Sequence, residues 1–167
     1  MHLLAATPGT ILDGEEAVDL GQTAGDIVIL SAADNELAGL ARARDAEGPS
    51  LRLANVMSLG HNMSVDIYVE DIIARAKLVV VRLLGGSGYW AYGVEQVAAT
   101  CREHSIPLAM LPGDDQPDAE LAALCTLPEA RCHRLWQYFV HGGAGNFRNL
   151  LAYAATLIGQ PAPWIEP

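Results

Sequence analysis

Apolar residues follow two rhythms along this chain. Short unbroken runs bounded by turn residues alternate with longer stretches in which apolar positions recur every three or four residues. DIVILS (26–31), SLRLANVM (50–57), LVVVRLL (78–84) and PLAMLPG (107–113) read as strands, with Met1–Ala6 as a further one at the start. LVVVRLL has almost no polar alternation, the pattern of a strand buried on both faces of a parallel sheet. Between the strands lie helical stretches. In AADNELAGLARARDA, Leu37, Leu40 and Ala41 share a face and Asp34 is placed to cap the start. In MSVDIYVEDIIARAK, Val65, Tyr68, Val69, Ile72 and Ile73 form one stripe, with Ser64 as the expected cap. YGVEQVAATCREHS turns Val94, Val97, Ala98 and Cys101 inward.

Strand following helix following strand implies right-handed βαβ units. The expected fold is α/β: an open parallel sheet of about five strands with flanking helices. From about residue 115 the pattern becomes wholly helical, in DAELAALCTL, PEARCHRLWQYFVHGG and AGNFRNLLAYAATLIG. Gly142 and Gly143 suit a helix C-terminus, and Asn146 suits the cap of the last helix. The whole of 1–159 reads as one domain. QPAPWIEP (160–167), with three prolines, reads as an exit linker toward a further part of the protein.

Charge narrows the choice of partners. Twenty acidic residues against ten basic ones give a net charge of −10, and Lys77 is the single lysine. That balance excludes nucleic acid, whose binding needs clustered cations, and disfavours an anionic membrane surface. No apolar run is long enough to span a bilayer. The first ten residues lack the basic and apolar regions of a signal peptide, so a cytoplasmic location is expected. Cys101, Cys125 and Cys132 form no CxxC pair and read as reduced, buried thiols rather than a zinc site.

In an open parallel sheet, ligands sit outside the carboxyl ends of the strands. Those ends carry Ser31 and Asp34, the loop MSLGHN (57–62), the stretch GGSGYW (85–90), and GDD (113–115). GGSGYW is not the GxGxxG fingerprint, and no GxxxxGK[ST] loop occurs, so a nucleotide is disfavoured. Gly85, Gly86 and Gly88 are expected to make a tight strand-to-helix elbow with at least one positive φ. Tyr89 and Trp90 directly after it suit a flat, apolar, hydrogen-bonding ligand or a partner surface. His61, in the loop before a helix, is a candidate metal ligand, the alternative being an exposed loop histidine. Asp114 is the acidic member of the same rim. His61, Tyr89, Trp90 and Asp114 are expected to line one cleft.

Four segments, SLRLANVMSLGHNMSVDIYVE, VVVRLLGGSGYWAYGVEQV, LAMLPGDDQPDAELAAL and CHRLWQYFVHGGAGNFRNLLAY, together resemble the N-terminal part of the large subunit of aerobic cobaltochelatase, the CobN type, a family related to the large subunit of magnesium chelatase. The resemblance runs from about residue 1 to residue 159 and rests on the motifs RLLGG.GYW, LPGDD and GG..N. It implies an N-terminal domain of an enzyme that inserts Co²⁺ into hydrogenobyrinic acid a,c-diamide, a corrin precursor of cobalamin. It implies as partners the AAA+ subunits that hydrolyse Mg-ATP, the remainder of the large subunit, and the corrin itself. Cobalt would enter as substrate, with no cofactor held by this domain. It supplies no catalytic residues, and the domain alone is not expected to be active. The alternative is an interaction or scaffold domain that docks other chelatase domains or subunits and binds no small molecule.

Overall fold

Four strands lie side by side in the order β2-β1-β3-β4, all parallel, and all but the partly buried β2 are buried along their length or nearly so. They are β1 (Ile27–Ser31), β2 (Leu51–Asn55), β3 (Leu78–Leu83) and β4 (Leu108–Pro112). The computed structural model describes residues 17–167. The strand expected at Met1–Ala6 lies outside the described residues, and the described sheet has four strands where about five were expected. Six α-helices accompany the sheet among the described residues: α1 (Asp34–Ala43), α2 (Asn62–Asp71), α3 (Ala91–Glu103), α4 (Ala119–Leu124), α5 (Glu129–His141) and α6 (Gly143–Leu157).

Alternate strand residues point to opposite faces, and each face has its own core. Val28, Leu30, Val79, Val81, Leu83, Leu108 and Met110 pack under α2, α3 and α4. Ile27, Ile29, Leu78, Val80, Ala109 and Leu111 pack under α1, α5 and α6. The all-helical stretch after residue 115 packs onto the sheet. α5 and α6 cover the sheet face that α1 alone leaves open, which is why β3 can be buried throughout.

Helix starts differ in detail from the sequence pattern. His61, not Ser64, caps α2: its Nδ1 accepts from the Met63 N–H at 3.0 Å. Ser64 is buried and its hydroxyl accepts from the Val18 N–H at 2.7 Å, tying the leading segment to α2. Asp34 is the first residue of α1 rather than its cap, and it accepts from the Asn55 side chain at 2.8 Å. α6 begins at Gly143, so Asn146 sits inside its first turn and donates back to the Gly142 carbonyl at 2.8 Å. Residues 160–167 are non-helical, as their prolines require, but they lie against α5 and α6. The Trp164 ring stands 4.8 Å from that of Tyr153, and Arg134 grips Glu166 through two N–H groups at 2.7 and 3.0 Å.

Candidate functional site at the carboxyl rim of the sheet

After β1 the chain runs outward to β2, then returns past β1 to β3. The direction of winding reverses between β1 and β3, where open α/β sheets form their crevice. Ser31 and Arg82 are register partners at the ends of these two strands. Their side chains meet Glu36 from the first turn of α1. Arg82 Nε lies 2.8 and 3.0 Å from the two Glu36 oxygens, and the Ser31 hydroxyl donates to one of them at 2.8 Å. The outer guanidinium nitrogens donate to the carbonyls of Pro112 (2.9 Å) and Gly113 (3.1 Å), and the group stacks 5.0 Å from the centre of the Phe139 ring. Burial pulls the Arg82 pKa below its ordinary value, while Glu36 and Asp114 counter the shift. A charge this deeply placed persists only with such partners. The crevice on this face is thus filled from within. Sequence reasoning missed Arg82; the available signal was a lone cation inside the apolar run LVVVRLL.

The glycine elbow forms as expected. Gly85 (φ 95°) and Gly86 (φ 77°) have positive φ, whereas Gly88 does not. Gly113 is required for a different reason: a Cβ there would come within 2.6 Å of the Leu84 backbone nitrogen. The elbow and the end of β4 are in backbone contact, with the Gly113 N–H donating to the Leu83 carbonyl at 2.7 Å.

The expected site residues divide into different environments. Trp90 is a core residue, 4% exposed, with its indole N–H donating to the Leu59 carbonyl at 2.9 Å and its ring lying over Gly93. Its ring therefore does not line a cleft with the others, and that expectation is corrected: a side chain at the start of α3 rotates under the helix because Gly93 leaves room for it. Tyr89 remains half-exposed on the rim, packs beside Gly85, and its hydroxyl lies 2.9 Å from Met57 Sδ. His61 is committed through Nδ1 to the α2 cap, and among the described residues no group of three His, Cys, Asp or Glu is arranged to hold a metal ion. Asp114 is exposed at the end of β4. Its carbonyl accepts from the Trp136 indole at 2.9 Å, and its carboxylate accepts from the Gln116 N–H at 3.0 Å. What the rim does display is apolar surface that the sequence did not single out: Leu84 is 57% exposed and Met57 37% exposed, on either side of Tyr89 and Gly85.

A second concavity adjoins this rim at Pro112 and Asp118. A groove of about 900 Å³ runs between α4, α5 and the outer edge of β4, with Cys125, Cys132, His133 and Trp136 among its walls and Glu166 and Pro167 at one end.

The architecture is that of an open parallel α/β domain with a glycine elbow at its carboxyl rim. No family model matches the chain. Individual proteins do match it. The chain is 51% identical, over 95% of its length, to aerobic cobaltochelatase subunit CobN of Sinorhizobium sp. It is 43% identical over its whole length to the same subunit of Pseudomonas aeruginosa. The catalytic subunit of cobaltochelatase from Mycobacterium tuberculosis superposes with a TM-score of 0.70 over 86% of the chain, at 26% identity. The chain spans 12% and 14% of the two curated relatives and 11% of the solved one. Over the segment it spans, the chain is thus a homologue of aerobic cobaltochelatase subunit CobN, as its motifs implied. No helix of the described residues is long and apolar enough to cross a membrane.

Proposed function

We propose that the chain is the N-terminal α/β domain of the tetrapyrrole-binding subunit of an ATP-dependent cobaltochelatase, which inserts Co²⁺ into hydrogenobyrinic acid a,c-diamide on the aerobic route to cobalamin. The observation that carries this reading is the 51% identity maintained over nearly the whole chain to a protein of that name. ATP hydrolysis falls to separate AAA+ subunits, in keeping with a sequence that has no Walker loop. Insertion chemistry belongs to the remainder of the large subunit. This domain contributes a rim: Met57, Leu84 and Tyr89 offer an apolar surface to the flat face of the macrocycle. The backbone of Gly85 and Gly86 and the carboxylate of Asp114 suit the amide groups on its edge.

A second reading has support of its own. Trp90, the largest ring of the elbow, is spent on the core, and exposed apolar side chains beside a rigid turn serve equally for docking another part of the chelatase. The full large subunit carrying Leu84→Ser and Tyr89→Ala separates the two. A corrin titration followed by tryptophan fluorescence is expected to show binding weakened at least about tenfold, equivalent to 1.4 kcal/mol. Unchanged corrin affinity with lost assembly onto the AAA+ subunits assigns the rim to docking. Unchanged affinity and assembly refutes a role for it.

A further inference from the structure

The outer edge of β4 is closed in an unusual way. On that edge Leu108 and Met110 present their backbone groups away from β3. Thr126 takes the Leu108 N–H on its hydroxyl at 2.7 Å and returns its own N–H to the Leu108 carbonyl at 2.9 Å. Cys125 does the same with sulfur. Its Sγ accepts from the Met110 N–H at 3.3 Å and its S–H can donate to the Met110 carbonyl at 3.4 Å. Pro112, next on the same edge, has no N–H to offer. Cys125 ends α4, and Cys132 stands in the first turns of α5, so the short link between the helices brings the two thiols together. Both line the groove beside β4, each shifts the other's titration, and the Cys132 S–H also faces the Leu127 carbonyl at 3.7 Å. Cys101, by contrast, is fully buried in the opposite core.

We propose that Cys125 and Cys132 form a reactive dithiol that is oxidised to a disulfide by low-molecular-weight disulfides of the glutathione type entering the groove. The Cys125 thiolate attacks one sulfur of the reagent. The reagent's S–S bond breaks, a mixed disulfide forms on Cys125, and one small thiol leaves with a proton. Cys132 then attacks Cys125 Sγ, the mixed disulfide breaks, and the second small thiol leaves with the proton of Cys132. Two electrons pass from the pair to the reagent. Thiolate character supports the order of events. Donation from the Cys132 thiol brings Cys125 down to about 7, against the opposing effect of burial and with help from the Met110 N–H. The Cys132 thiol is correspondingly raised, and burial alone pushes Cys101 up to about 12. Asp118, Glu129, His133, Arg134 and His141 share the groove, so carboxylates and cations both face the pair. Oxidation has a structural consequence. The disulfide leaves no S–H for the Met110 carbonyl and makes Sγ a poorer acceptor for the Met110 N–H, which loosens the sheet edge.

The test is to hold the folded protein in graded mixtures of reduced and oxidised glutathione, then read intact mass and non-reducing peptide maps. The expected product is two hydrogens lighter, links Cys125 to Cys132, leaves Cys101 free, and exchanges the Met110 amide hydrogen faster. Cys132→Ala is expected to stop at a stable glutathione adduct on Cys125, and Cys101→Ala to behave as the parent does. The proposal fails if no link forms in any mixture while the protein stays folded. It also fails if Cys101 is consumed as fast as Cys125, because the thiols would then be reached only through unfolding.

Discussion

Replacing Arg82 by methionine keeps an unbranched apolar stem, though a shorter one, and removes the charge at the crevice between β1 and β3. The guanidinium serves four acceptor atoms: two oxygens of Glu36 and the carbonyls of Pro112 and Gly113. Breaking a buried pair by deleting one partner costs about 3–5 kcal/mol, because the other charge stays behind unpaired. Glu36 is 13% exposed and keeps the Ser31 hydroxyl, so part of its charge can be met by water. That places the expected loss near the lower bound, about 3 kcal/mol, a large share of a total of about 5–15 kcal/mol. Urea unfolding followed by circular dichroism reads it directly. With a slope of about 1–3 kcal/mol per molar, the midpoint should fall by roughly 1–3 M. Adding Glu36→Gln to the same protein removes the stranded charge, and the double variant should regain about 1–2 kcal/mol relative to the sum of the single changes. A loss below about 1 kcal/mol for Arg82→Met, or strict additivity in the double variant, would refute the view that this pair holds the carboxyl ends of β1, β3 and β4 together.

Gly86→Ala should cost about 1–3 kcal/mol in the same assay, since only glycine is at ease at φ 77°, ψ −168°. Gly88→Ala, with ordinary φ and open space around it, should stay within about 0.5 kcal/mol. Asp26 governs part of the acid limb. Burial raises its pKa, but the Ser50 N–H and hydroxyl together with Lys77 outweigh that and leave it below 3.8. Its stabilisation is therefore complete above the unfolded-state value and disappears as pH falls through the lower folded-state value. Asp26→Asn should flatten the pH dependence of the unfolding midpoint below about pH 4 and leave the slope near neutrality unchanged.

The strands were legible because parallel strands buried on both faces need unbroken apolar runs, and DIVILS, LVVVRLL and PLAMLPG have them. The helix caps were less so. GHNMS offers four polar or small residues that could start α2, and the choice of His61 depends on Ser64 being engaged by Val18, far away in sequence. Likewise, YW after a glycine elbow says that two rings leave the turn, but not which one turns inward. That is decided by Gly93 at the next turn and by the Leu59 carbonyl waiting for an indole N–H. Arg82 was hidden for a related reason. A cation in an apolar run can be an edge position or a buried one, and only the sheet order tells which.

That sheet order also governs how the chain must be built. Among the described residues no two paired strands are joined by a hairpin, and the central pairing of β1 with β3 joins Ile27 to Leu78. At about 5–20 residues per second, the ribosome needs several seconds to deliver β3 after β1 has emerged. Until then β1 has only β2 to pair with, and its other edge, IVILS, is bare. Arg82, near the end of β3, arrives last of the crevice trio and closes it. Slow synthesis across residues 51–83 should therefore lengthen the interval in which the exposed strand of the nascent chain has to be covered.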